Sequence, residues 1–140
     1  MITEKILNVL LKDCEKAYFE KEIPVSAIIV DKDNNIVSHC FNKRQQNNRV
    51  IDHAEILSIL EASNKIGDWR LNGYSMIVTL CPCKMCTEVI KESRLDNVYY
   101  ILESKYYNSL STSDFTKIEV PKEYEEKLNK LLTLFFDNMR

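Results

Sequence analysis

The stretch "TLCPCKMC", residues 79–86, packs three of the chain's five cysteines around one proline. Zinc is held by thiolate sulfur and imidazole nitrogen in tetrahedral geometry. Three thiolates and one histidine would close such a site; two thiolates and one histidine would leave a position open for water. The apolar run "YSMIVTL" (residues 74–80) reads as a buried strand, in which Ile77, Thr79 and Cys81 alternate onto one face. Pro82 breaks the strand and suits the first turn of a helix over Lys84–Ser93. Cys83 and Cys86, three apart on that turn, share a face and can chelate one ion. The free N–H groups and partial positive charge of a helix start favour thiolate over thiol. Cys81 still belongs to the strand, and a ligand there would have to reverse the direction that Pro82 sets. It reads as a small core or pocket-wall residue.

A third ligand can be supplied by His53, at the start of the helical pattern "HAEILSILEASNKI" (residues 53–66). Asp52 stands where an N-cap belongs. Glu55, two residues after His53, would lie about 200° away in mid-helix. It shares the site only if the metal sits at the helix end rather than along its flank. Its carboxylate would then take a proton from a metal-activated water and pass it to a leaving group.

Further out, residues 4–20 carry an amphipathic stripe of Ile6, Leu10, Cys14, Ala17 and Tyr18. "PVSAIIV" (24–30) and "IVSHCF" (36–41) flank the turn cluster "DKDNN" and read as a hairpin. "NKRQQNNRVI" (42–51) reads as a polar loop, "NVYYIL" (97–102) as a strand and "TKIEV" (116–120) as a short one. Pro121 opens a last helix with Tyr124, Leu128, Leu131, Phe135 and Met139 on its stripe. The order α-β-β-α-β-α-β-(β)-α predicts a three-layer α/β domain with helices on both faces of a central mixed sheet of about five strands.

Bulk properties narrow the function. At 140 residues, 45% hydrophobic and 29% charged, the chain is expected to form one domain over residues 1–140. No apolar run approaches the roughly 20 residues that span a bilayer. Residues 1–21 carry charges throughout and no small-residue cleavage site, so no signal peptide is read there, and a cytoplasmic location is expected. An odd number of cysteines, three of them clustered, points to metal rather than disulfides. A net charge of −2 supplies no global basic field, so a nucleic acid would need a local patch. Only two glycines leave no glycine-rich phosphate loop.

His53-x-Glu55 followed by Pro82-Cys83-x-x-Cys86 is the signature of zinc nucleobase deaminases. With "EIPVSAIIV", the Asn42 loop, "HAEI", "DWRLNGYSMIVTLCPCKMC" and the terminal "LLTLFFDNMR", the chain resembles the bacterial tRNA wobble-adenosine deaminases of the cytidine deaminase-like superfamily. The resemblance covers most of residues 1–100 and the last ten. It implies one zinc per chain on His53, Cys83 and Cys86, Glu55 as proton shuttle, Asn42 hydrogen-bonding the substrate base, Ala54 offering it backbone, and a homodimer. It further implies a tRNA anticodon loop as partner, with wobble adenosine converted to inosine. Four positions depart: the family usually carries Glu at Cys81, Gly at Ser26, and Thr-Ala at Ile51-Asp52. The family also has a longer, glycine-rich segment after its fourth strand, lying over the active site. Here "ESKYYNSLSTSDF" (103–115) is shorter and lacks glycine. A small residue at Cys81 is also found in free-cytosine deaminases. The alternative substrate is therefore a free nucleobase or nucleoside (guanine, cytosine or adenine). A non-catalytic zinc-stabilised RNA-binding module is the reading from a different class.

The remaining features have plainer readings. Cys14 and Cys40 are expected in the core. Lys43, Arg44 and Arg49 form a basic loop into the site that could meet phosphates. Phe135 and Phe136 are expected to pack rather than stack on bases, and Trp69 to cap the core near Gly67.

Overall fold

The computed structural model describes residues 2–104 and 115–138. Helix α1 (Glu4–Phe19) opens on Thr3, whose hydroxyl accepts the Ile6 N–H at 3.2 Å. Strands β1 (Ser26–Val30) and β2 (Ile36–Phe41) form the expected hairpin, paired antiparallel with a bulge between Ile29 and Val30. A short helix α2 (Arg44–Asn47) follows, then α3 (Ala54–Ile66), β3 (Ser75–Leu80), α4 (Lys84–Ser93), β4 (Asn97–Leu102), the two-residue β5 (Thr116–Lys117) and α5 (Lys122–Asn138). Helix α3 ends on Gly67, whose φ of 81° is left-handed and so favours glycine.

The sheet order is β2-β1-β3-β4-β5; β1 runs antiparallel to β2 and β3, while β3, β4 and β5 are parallel. This is the mixed sheet of five strands expected. Every residue of β1 is buried, because the strand lies mid-sheet and is covered on both faces. On one face Ser26 donates to the Leu10 carbonyl of α1 at 2.7 Å, and its own N–H meets Thr79 of β3. On the other, Ser58 of α3 donates to the Ala27 carbonyl at 2.9 Å. Leu10, Ile28, Ile29, Met76, Leu80 and Ile90 fill the two layers between. Among the described residues no helix is long and apolar enough to cross a membrane.

Several expectations change. Residues 42–51 are not all loop, since α2 lies within them. On α5 the buried positions are Leu128 and Leu132, with Tyr124, Leu131 and Phe136 partly covered. Phe135 and Phe136 meet edge to face at 5.3 Å, a packing contact. Met139 and most of the segment 103–115 lie outside the described residues. Trp69 does not cap the core: it is 53% exposed, with the Arg70 and Arg94 guanidinium groups over its ring at 4.9 and 5.4 Å. Cys14 is in the core, bonded to Ser26 and Thr79, and burial pushes its thiol up to about 11. Cys40 is only half-buried, because β2 is an edge strand, and its thiol rests on Glu61 at 3.0 Å.

Candidate metal centre and active site

Helices α3 and α4 begin side by side. The residue before each is extended, His53 with ψ of 154° and Cys83 with ψ of 173°, and neither side chain caps its own helix. Both are therefore free to turn toward the space between the two starts, where Cys86 on the first turn of α4 joins them. The His53 Nδ1 lies 3.4 Å from the Cys86 sulfur and 3.8 Å from the Cys83 sulfur. The three ligand atoms all fall within 4.8 Å of one another. A tetrahedral zinc with ordinary bond lengths separates imidazole nitrogen from thiolate sulfur by about 3.6 Å. The two observed separations bracket that value, and the donors are a borderline-soft set that suits zinc.

The charges agree with a cation-ready centre. The Cys83 thiol is drawn down to about 4, first by its hydrogen bond with Cys86 and then by His53. Cys86 is pushed up in return, because it keeps the proton the two sulfurs share. His53 is raised by its bond to Cys83. A metal ion would displace these protons, as thiolate sites require.

Glu55 is 4% exposed and in the first turn of α3. It reaches the site because His53 precedes the helix instead of lying on it, so the 200° separation of mid-helix does not apply. Its carboxylate meets the Cys86 thiol, and burial pushes it up to about 7. A carboxyl poised there can both take and return a proton near neutrality.

Asn42 and Ala54 come together, though in a way the sequence did not suggest. The Asn42 Oδ1 accepts the Ala54 N–H at 2.7 Å, so the loop residue caps α3 and the Ala54 N–H is already engaged. Asp52 is not the N-cap; that place belongs to His53. The fully buried Asp52 carboxylate instead accepts Asn47 Nδ2 at 2.8 Å and pairs with Arg49 at 3.3 Å. Cys81, 3% exposed, lies one residue past the end of β3 rather than in it, where its N–H donates to the Leu102 carbonyl at 2.9 Å, and it stands outside the group of three candidate ligands. Lys43 lies over the Phe41 ring at 5.1 Å, and Arg44 is near enough to His53 to oppose its protonation.

Two features escaped the sequence reading. Tyr100 on β4 donates to Glu103 at 3.0 Å just beyond the strand, and burial above all pushes its hydroxyl up to about 12. Glu22, buried after α1, accepts the N–H groups of Gln45 and Gln46. No local pattern announces the partners of Glu22, since it reaches across more than twenty residues.

Against known proteins, residues 2–102 match the family described as cytidine and deoxycytidylate deaminase zinc-binding region. The tRNA-specific adenosine deaminase of Rickettsia bellii (strain RML369-C) is 42% identical over 91 residues, 64% of this chain and 63% of that protein. The tRNA-specific adenosine deaminase of Bacillus subtilis (strain 168) is 36% identical over 97 residues, 69% of this chain and 60% of that protein. The chain thus spans less than two thirds of the length of these relatives. Among solved structures, a tRNA:A34 deaminase studied for A-to-I editing at the wobble position superposes with a TM-score of 0.78, at 24% identity, covering 93% of this chain and all of that one. A guanine deaminase from Nitrosomonas europaea superposes with a TM-score of 0.80, at 13% identity, covering 96% of this chain and 85% of that one. At these identities both structures establish the three-layer fold.

Proposed function

The chain belongs to the cytidine and deoxycytidylate deaminase zinc-binding family, and from that premise we propose that it is a zinc-dependent hydrolytic deaminase acting on adenosine at the wobble position of a tRNA. The carrying observation is the convergence of His53, Cys83 and Cys86 on one point, with the buried Glu55 against it. The tRNA substrate is supported by the relatives named tRNA-specific adenosine deaminase.

His53 Nδ1 and the Cys83 and Cys86 sulfurs would hold one zinc per chain, leaving the fourth tetrahedral place for water. Zinc bound there lowers the pKa of its water to about 7. Glu55 accepts the proton of the attacking water and delivers protons to the ring nitrogen and to the departing ammonia, so adenosine and water give inosine and ammonia. Asn42, fixed by Ala54, presents the rest of its amide to the base. Ala54 itself lines the base pocket with its backbone. Lys43, Arg44 and Arg49 offer the anticodon loop a basic approach. The flipped adenosine is read in the pocket rather than in a helix. The exposed Val50, Ile51 and Leu60 suit a homodimer contact, and a tRNA substrate suits a cytoplasmic, single-domain enzyme.

The test is to incubate the purified, zinc-loaded protein with tRNA transcripts and, separately, with free bases and nucleosides, and to follow inosine and ammonia by mass spectrometry. Inosine at the wobble position is the expected result, with apparent affinity falling steeply as salt rises. Turnover of a free base alone, indifferent to salt, would overturn the substrate. Metal binding without ammonia release would make the protein a zinc-stabilised binding module.

A further inference from the structure

The loop from Asn42 to His53 carries at its two ends the residue assigned to the base and the first metal ligand. Its neck is closed by the Lys43 N–H on the Asp52 carbonyl at 3.0 Å. Its middle is α2, whose preceding residue, Lys43, supplies no side-chain cap. The cap comes instead from Glu22, 1% exposed, which places one carboxylate oxygen 3.0 Å from the Gln45 nitrogen and the other 2.7 Å from the Gln46 nitrogen. Three residues further on, the Val25 carbonyl accepts the Asn42 N–H at 3.2 Å. The single short stretch 22–25 therefore grips the loop twice, on α2 and on Asn42.

We propose that Glu22 is a positioning residue for the deamination, holding α2 so that Asn42 meets both the base and the first turn of α3. This rests on the deaminase reading. The chemistry explains why a carboxylate stands there. Two adjacent N–H donors need two acceptors, and a carboxylate has acceptors only. A buried carboxylate is costly unless its oxygens are bonded, and among the described residues Glu22 forms no ion pair. Its use is thus to satisfy these two donors. Asn42 then passes the placement on, since its Oδ1 is fixed by the Ala54 N–H.

Glu22→Gln tests this with little change of volume, because one acceptor becomes an amide that opposes an N–H. Three readouts are taken on the zinc-loaded protein: hydrogen exchange of the Gln45 and Gln46 amides, zinc per chain, and kcat/KM on an anticodon stem-loop RNA. We expect exchange about tenfold faster at these amides, one zinc retained, and kcat/KM lowered about tenfold through misplacement. Combined with Asn42→Ala, the change should add less than about twofold to the loss from Asn42→Ala alone, because the two act in series. Glu22→Asp, which keeps both oxygens, should recover part of the rate, and it serves if Glu22→Gln does not fold. Additive losses, unchanged exchange or loss of zinc would each overturn the proposal. A wild-type protein that makes no inosine sinks the deaminase reading and with it any positioning role, while the exchange measurement separately judges whether Glu22 holds the loop.

Discussion

At the start of α1 the Thr3 hydroxyl accepts the Ile6 N–H at 3.2 Å, whereas the residues in the same place before α3 and α4, His53 and Cys83, cap nothing with their side chains. A good N-cap contributes about 1 kcal/mol. Helix α1 has that stabilisation; α3 and α4 give the position to side chains that the proposed function assigns to a metal. Only α3 recovers part of it, through Asn42 on the Ala54 N–H. The difference shows how a helix start, with its free N–H groups and positive end, serves stability or chemistry according to the residue placed before it.

The contrast can be broken most severely by Cys86→Ala. It should reduce zinc from one ion per chain to a trace by metal analysis and abolish turnover; a variant that kept its zinc would dissolve the proposed centre. Glu55→Ala comes next, lowering kcat by about 100- to 10,000-fold while zinc content and melting behaviour stay near wild type. Persistent turnover would place the proton shuttle elsewhere. Thr3→Ala tests the other side: urea unfolding should show a loss of about 1 kcal/mol with kcat unmoved. The smallest effect is expected from Cys81→Ser, which should keep zinc and most of the activity; lost zinc would bring back a four-ligand site.

The legible parts of the molecule were those written in contiguous residues. Pro82 placed α4 at its observed bounds and the run "NVYYIL" placed β4, because a helix-starting proline and a β-rich run are local signals. The meeting of His53, Cys83 and Cys86 was legible because their residue types are scarce and the spacing of the two cysteines is dictated by a helix turn. What stayed hidden depends on partners distant in the chain. Helix α2 is too short to show periodicity and is held by Glu22 from outside. Asp52 has the right chemistry for an N-cap, but Asn47 and Arg49 claim its carboxylate. Trp69 suggested burial by its size, yet the arginines beside it in space let it remain outside.

The loop from Asn42 to His53 contains no glycine, and its one left-handed residue, at φ of 52°, is Asn48. Its turns are secured by Glu22, by Asp52 and by its own backbone. The entropy of ordering this loop is therefore lost when the chain folds, not when a ligand arrives. Under the proposed function, association at this loop is a matter of fit to a standing surface, and the affinity of a well-matched base is not reduced by the work of closing the loop around it.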